Sequence, residues 1–107
     1  MDTNNETIYF VGKNSEDNWR IYKESNQNDT IFHLNKFSSP YVIIKIPIKD
    51  ITNQQIYTAA NICKQNSKYK NLPKVSVMYT PISNTRLGNK VGSFTTISNH
   101  KVKVINV

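Results

Sequence analysis

The sequence predicts an α+β domain in which one main helix packs on a mostly antiparallel sheet. Short runs of apolar and β-branched residues between turn-rich segments predict strands, and one longer stretch has helical spacing. The predicted order, β-β-β-β-α-β-β-β, favours this class. The chain has 107 residues, which suits a single domain with a modest core. We expect residues 1–6 to be a disordered N-terminus and residues 7–107 to form the domain.

The first two predicted strands are "TIYFVG" and "NWRIYKES", which form a hairpin across the turn-rich "KNSED". The next two, "TIFHL" and "YVIIKIP", meet at a Ser-Ser-Pro turn and are predicted to be neighbours. Alternation along these two runs predicts an aliphatic face turned inward and a polar, aromatic face turned outward. The outward face is expected to be a recognition surface, and it carries Asp29, His33, Tyr41 and Lys45.

The main helix is predicted in "TNQQIYTAANICKQNSKYK". Thr52 and Gln55 have the spacing of a capping box. The apolar stripe of Ile56, Ala59, Ala60 and Cys63 recurs at helical spacing and is expected to be buried, and Asn71 with Pro73 is expected to end the helix. After it, "KVSVMYT" is a strand and "PISNTRLGNKVG" a loop. "SFTTIS" and "KVKVINV" are predicted to close the chain as a hairpin.

Charge is distributed unevenly along the chain. The net charge is +7, all seven acidic residues lie at or before Asp50, and residues 51–107 hold eight Lys or Arg. A one-sided positive field attracts polyanions, so nucleic acid is an expected partner. No apolar run is long enough to cross a bilayer, and no lipidation motif is present, so no membrane partner is expected. The single cysteine and the lack of a signal peptide favour an intracellular, cytoplasmic or nuclear location.

Asp29 and His33 are the candidates for acid–base chemistry, because a His near a carboxylate can act as a general base. The sequence offers no nucleophile at motif spacing and no Cys/His set for zinc. We therefore predict no catalytic residue, no metal and no cofactor. Two interpretations of Asp29 and His33 are favoured: a hydrogen-bonded structural pair, or part of a recognition surface. A hydrolase that uses both residues is a third hypothesis.

The ordered elements "DTIFHL", "SSPYVIIKI", "AANICKQNSKYKN", "VSVMYTPISN" and "VGSFTT…KVKVI" resemble the NFACT-R domain over residues 7–106. The "YTP-x-SN" element resembles its short stand-alone form in eukaryotic coiled-coil-domain proteins. In that family an Asp-x-Trp-Phe-His element and a Ser-x-His-Val element mark the functional surface. Here Asp29, Phe32, His33, Ser39 and Val42 match those elements. Ile31 replaces the tryptophan, Tyr41 the histidine, and Lys45 a usual arginine, so the resemblance is to a divergent member of the family.

The resemblance implies a non-catalytic RNA-binding module that acts on tRNA or the ribosome in translation or ribosome quality control. Phosphate contacts are predicted for five of the eight second-half cations: Lys64, Lys68, Lys70, Arg86 and Lys90. Base or sugar recognition is predicted for Asp29, His33, Ser39, Tyr41 and Lys45. Two alternatives stay open: a protein-binding adaptor that competes with a longer relative through an exposed sheet edge, and a DNA-binding module.

Overall fold

The computed structural model describes residues 7–107, and the predicted disordered segment, residues 1–6, lies outside them. The elements follow in the order β1 (Tyr9–Val11), α1 (Ser15–Lys23), β2 (Thr30–Leu34), β3 (Val42–Ile44), α2 (Asn53–Gln65), β4 (Ser76–Pro81), β5 (Thr85–Leu87), β6 (Phe94–Thr96) and β7 (Lys103–Asn106). Short 3-10 turns occupy Ile82–Asn84 and Asn99–Lys101. From residue 7 onward, no helix is both long and apolar enough to cross a membrane.

Five strands form one antiparallel sheet in the order β1-β3-β2-β4-β7, and β5 pairs with β6 in a separate two-stranded sheet. The predicted neighbours β2 and β3 do pair, with Phe32 opposite Val42. On its other side β2 pairs with β4, with Phe32 opposite Tyr79. The α+β class and the single main helix on the sheet are confirmed.

Helix α2 covers one face of the sheet, as predicted. The Thr52 hydroxyl accepts from Gln55 N (3.1 Å) and the Gln55 side chain accepts from Thr52 N (2.9 Å), so the capping box is present. Ala59, Ala60 and Cys63 are fully buried against the sheet. The helix ends earlier than predicted, at Gln65, because the next side chains bond back to its last carbonyls: Asn66 Nδ2 to Ile62 O (2.8 Å) and Ser67 Oγ to Lys64 O (2.7 Å).

The segment predicted to be the second strand of a hairpin is instead helix α1. The Asn14 side chain caps it by accepting from Asp17 N (2.8 Å). Glu16 and Asp17 lie in its first turn and Lys23 in its last, which suits the helix dipole at both ends. These end effects outweigh the short apolar alternation of Trp19 and Ile21 that favours a strand, so the prediction was wrong.

Helix α1 and the β5–β6 hairpin cover the second face of the sheet. Ile31, Tyr41 and Ile43 from the sheet are at most 1% exposed, and they pack with Ile21 of α1 and with Ile82. Both faces of β2 and β3 are therefore buried, which is the usual reason for a nearly continuous apolar run. The face expected to be an open recognition surface is largely covered.

The C-terminal part of the chain also differs from its prediction. The predicted loop contains β5, and β6 pairs with β5 rather than with β7. Strand β7 joins the edge of β4, with Val77 opposite Ile105. The buried Asn84 amide forms two hydrogen bonds with the Ser98 backbone: its Nδ2 donates to Ser98 O and its Oδ1 accepts from Ser98 N (2.9 Å each). Thr80 Oγ1 donates to Lys101 O (2.9 Å). These bonds turn the chain between β6 and β7, so a local hairpin does not form.

Candidate nucleic-acid interface

An open groove lies over the loop that joins β2 to β3, beside the first turn of α1. Its larger part has a volume of about 790 Å³ and its smaller part about 320 Å³. Both parts are lined by Ser15, Asn18, Ser38 and Ser39. Because these residues are shared, the two parts form one continuous feature, which we call the β2–β3 groove.

The β2–β3 groove is polar and basic. Most of its lining groups are hydroxyls, amides and backbone, with an aromatic contribution from Phe37, Tyr69 and Phe94. Four lysines line it: Lys13, Lys36, Lys68 and Lys90, and all four are exposed. Among the described residues, no Asp or Glu lines either part. Such a surface is suited to an anionic ligand with hydrogen-bonding groups.

The Asn18 amide fixes α1 to the floor of the groove. Its Oδ1 accepts from Tyr41 N (3.0 Å) and its Nδ2 donates to Ser39 O (3.4 Å). This close approach needs a glycine at position 12, since a Cβ there would lie 1.9 Å from Asn18 Oδ1. Ser39 holds the same loop from the other side, accepting from Leu34 N (3.0 Å) and donating to Pro40 O (3.0 Å). Ser39 therefore shapes the groove.

The β5–β6 hairpin forms the opposite wall and is fastened to α1. Trp19 Nε1 donates to Ser93 O (2.9 Å), and the Tyr22 hydroxyl shares a 2.7 Å hydrogen bond with Thr85 Oγ1. Gly92 has a positive φ of 87°, and a Cβ there would lie 2.7 Å from that of Ser15. Glycine at this position therefore permits both the turn and its contact with the start of the helix.

Asp29 and Lys45, two of the predicted recognition residues, form a structural pair. The Asp29 carboxylate is buried, accepts from Asn26 N (2.8 Å) and forms an ion pair with Lys45 Nζ (3.2 Å). Lys45 Nζ also donates to Glu24 O (3.2 Å) and lies 5.5 Å from the centre of the Phe10 ring. These contacts tie the end of α1 to β2 and β3, and Asp29 does not orient His33.

His33 lines the groove and Tyr41 lies beneath it. The His33 Nδ1 donates to Leu34 O (2.7 Å), which leaves Nε2 as the acceptor of the neutral ring. Burial lowers the pKa of His33, although the hydrogen bond to Leu34 opposes this shift. Tyr41 is fully buried, with its ring edge-on to those of His33 and Phe94. Burial raises the pKa of Tyr41, although the nearby Trp19 side chain opposes this shift. The Tyr41 hydroxyl has no partner with hydrogen-bond geometry among residues 7–107, because Trp19 Nε1 donates to Ser93 O instead. Tyr41 therefore supports the groove from inside the core.

The five predicted phosphate-binding cations do not share one location. Lys68 and Lys90 line the two parts of the groove, and Lys70 is exposed close to Lys68 in sequence. Arg86 is exposed on β5, outside the lining of the groove. Lys64 is buried at 8% exposure, and its Nζ donates to the backbone oxygen of Val107 (3.2 Å). Lys64 thus anchors the C-terminal strand to α2.

The positive charge of the second half is not neutralised by carboxylates within residues 7–107. The ion pairs there join Arg20 to Asp17 and Glu24, and Lys45 to Asp29. Both cations come from the first half of the chain. Lys68 and Lys90 therefore form no ion pair with a carboxylate of residues 7–107, whereas Lys13 lies near the Asp17 carboxylate, which accepts from Lys13 N (2.9 Å).

Sequence reasoning missed Lys13, Lys36, Phe37 and Tyr69 as members of this surface. The first half of the chain is nearly neutral, so its lysines did not stand out. Both lysines lie in turns, "GKNS" and "NKFSS", and Phe37 is an aromatic residue in a polar loop. Loop residues of this kind are a general indication of binding function, and that signal was available from the sequence.

A protein-family model matches most of the chain and identifies its family. The model of the NFACT protein RNA binding domain matches residues 1–97. The chain belongs to this family. Coiled-coil domain-containing protein 25 from Bos taurus and from Mus musculus are each 33% identical to it over 85 residues, which is 75% of this chain and 40% of either relative. The protein of the same name from Danio rerio is 31% identical over 85 residues, 75% of this chain and 41% of the relative.

The chain spans about 40% of the length of these curated relatives. A solved structure, that of the C-terminal part of the fibronectin/fibrinogen-binding protein from Streptococcus suis, matches with a TM-score of 0.85 at 24% identity. It covers 100% of this chain and 43% of that one. At this identity the likeness shows the fold alone. Membership of the RNA-binding domain family supports a non-catalytic RNA-binding module.

Proposed function

We propose that the chain is a non-catalytic module that binds tRNA or ribosomal RNA and acts in translation or ribosome quality control. The observation that carries this proposal is the β2–β3 groove, lined by four exposed lysines and by no described acidic residue. Lys13, Lys36, Lys68 and Lys90 contact phosphates, with Lys70 beside them. Phosphate contacts of this kind provide most of the affinity and make it depend strongly on salt.

Recognition beyond phosphate comes from the groove wall. His33 Nε2 accepts a hydrogen bond from a ribose hydroxyl or a base, and the hydroxyls of Ser15 and Ser38 are exposed beside it. Ser39 and Tyr41 act indirectly, since their atoms hold the loop and the core beneath it. Asp29 and Lys45 stabilise the joint between α1 and the sheet, and Arg86 extends the basic surface along β5.

The placement of the lysines can be tested separately from net charge. The first variant carries Lys→Gln at positions 13, 36, 68 and 90. The matched control carries Lys→Gln at positions 49, 74, 101 and 103, which are also exposed and are not among the residues that line the groove. Both changes remove four charges, so a difference between the variants reports position alone.

Affinity for tRNA is measured against salt concentration for both variants and the wild type. We expect the slope of log K against log salt to become shallower by about 3.6 in the groove variant and by much less in the control, because each of four phosphate contacts contributes about 0.9. Equal losses in the two variants, or no binding of tRNA or a ribosomal RNA fragment by the wild type at low salt, would refute the proposal. Tighter binding of a DNA duplex would favour the DNA alternative.

A further inference from the structure

Phe37, which is exposed, and Tyr69, which is half-buried, form an aromatic pair in the groove. Their ring centroids are 4.1 Å apart and their planes differ by 20°, so the rings are stacked. Phe37 belongs to the β2–β3 loop and lines the larger part of the groove, whereas Tyr69 follows α2 and lines the smaller part. The stacked pair therefore joins the two parts.

The two rings have different surroundings. Tyr69 packs against the core cluster beneath α2 and is half-buried. Phe37 is 40% exposed, although one of its faces is stacked on Tyr69. A ring held this way contributes less to folding than a buried one, because much of its apolar surface stays in water. Phe37 thus has a supported inner face and an outer surface that a flat ligand can reach.

Both rings are held by anchored loops. Tyr69 N donates to Ser67 Oγ (3.1 Å), and that hydroxyl donates to Lys64 O (2.7 Å) at the end of α2. On the other side, Asn35 N donates to Ser76 O (2.8 Å) of β4, two residues before Phe37. Because the loops are already ordered, little conformational entropy is lost when a ligand stacks on the pair.

Lysines flank both rings in the sequence. Lys36 precedes Phe37, and Lys68 and Lys70 lie on either side of Tyr69; all three are exposed. Aromatic rings interleaved with cations are the arrangement that binds single-stranded nucleic acid, where bases stack on rings and phosphates contact the cations. A duplex keeps the faces of its bases inside its own stack, so its bases cannot reach Phe37 in this way.

We infer that Phe37, supported by Tyr69, is a stacking platform for an unpaired base of a single-stranded RNA segment whose phosphates lie against Lys36, Lys68 and Lys70. This inference rests on the proposed RNA-binding function, and it adds the class of RNA that the groove selects. Loops and single-stranded ends of a structured RNA present such bases.

The test uses a ten-nucleotide single-stranded RNA that carries one 2-aminopurine, whose fluorescence is quenched when it stacks. The chain variants are Phe37→Ala, Phe37→Leu and Phe37→Trp, and urea denaturation checks that each is folded. Leucine keeps an apolar side chain without a ring, and tryptophan keeps a ring. A blunt RNA duplex of matched charge serves as the comparison ligand.

We expect the wild type and Phe37→Trp to quench the fluorophore and to bind the single strand with similar affinity. Phe37→Ala and Phe37→Leu should both bind about tenfold more weakly, the order expected for one lost base–ring stack, and should bind the duplex as the wild type does. Full affinity of Phe37→Leu for the single strand, or equal losses for single strand and duplex, would overturn the platform and leave the proposed function intact. A wild type that binds neither RNA would overturn the proposed function itself.

Discussion

The two faces of the five-stranded sheet are built differently. Under α2 the core is mainly aliphatic, formed by buried side chains such as Leu34, Val42 and Val77. Under α1 the core is smaller: four buried isoleucines surround Tyr41, and partly buried aromatic rings pack against them. Polar bonds from Asn18 and Trp19 fasten its covering elements. The β2–β3 groove opens beside α1, and Asn18 and Ser93, which take part in these bonds, line it. Lys68 and Tyr69, which follow α2, line its smaller part.

This difference shows how each helix is specified. Helix α2 has a capping box and a continuous stripe of small apolar residues. The sequence of this thirteen-residue helix therefore determines which of its faces packs on the sheet. Helix α1 has nine residues, and only Asn18 and Ile21 are buried. Its position depends on partners distant in sequence: Asn18 bonds Tyr41, and Trp19 bonds Ser93. Substitutions on the α1 side should therefore affect stability and RNA binding together.

The largest effect is expected from Gly12→Ala. The added Cβ would meet Asn18 Oδ1, and moving that amide leaves the buried Tyr41 N without an acceptor. We expect a loss of about 2 kcal/mol in the free energy of unfolding, within the range for an unsatisfied buried donor, together with weaker tRNA binding. Urea denaturation and tRNA titration measure the two effects. Unchanged stability would mean that Asn18 does not fix α1.

A matched pair of cap variants compares the two helices directly. Asn14→Ala and Thr52→Ala each remove one N-cap hydrogen bond, and each should lower the free energy of unfolding by about 1 kcal/mol. Only Asn14→Ala should also weaken tRNA binding, because Asn14 lines the groove and Thr52 does not. If both variants weaken binding equally, the first turn of α1 is not part of the interface.

A smaller effect of opposite sign is expected from Tyr41→Phe. The buried hydroxyl of Tyr41 has no hydrogen-bond partner within residues 7–107, so its removal relieves a desolvation cost. We expect the free energy of unfolding to stay constant or rise by up to about 1 kcal/mol, with tRNA affinity unchanged. A clear loss of affinity would restore Tyr41 as a direct recognition residue, as the sequence predicts.

The smallest effect concerns the pH dependence of stability. Burial lowers the pKa of His33 below its ordinary value of 6.5, so the unfolded chain takes up a proton before the folded one does. The wild type should therefore lose stability as pH falls through 6.5 toward the lower folded-state pKa. Urea denaturation at several pH values should show this loss in the wild type and in His100→Gln, which changes an exposed histidine, but not in His33→Gln. The same loss of stability in His33→Gln would show that protonation of His33 is not its cause.

Sequence reasoning predicted the α2 side of the domain well and the α1 side poorly. The capping box of Thr52 and Gln55 and the buried stripe of Ala59, Ala60 and Cys63 are confirmed, because these signals lie within one or two helical turns. The pairing of β2 with β3 is confirmed for a similar reason, since the two strands are consecutive in the chain and one loop, residues 35–41, joins them. The strand predicted over Asn18–Ser25 was wrong, because a cap and end charges decided its conformation.

The candidate site was only partly predictable. His33, Ser39, Lys68 and Lys90 do line the groove, whereas Tyr41 and Lys64 are buried and Lys45 is paired with Asp29. Charge counting assigned cations by their half of the chain, but the groove draws Lys13 and Lys36 from the first half. A linear count cannot show which turns the fold brings together.

The sequence by itself determined the α+β class, the main helix and the excess of positive charge, because these follow from local spacing and composition. Only the tertiary structure decided which cations and rings share one surface. Distant segments meet there through bonds such as Asn18 to Tyr41 and Trp19 to Ser93, across 23 and 74 residues. Contacts between residues so far apart in sequence form only when the whole chain has folded, so they cannot be predicted from any one segment.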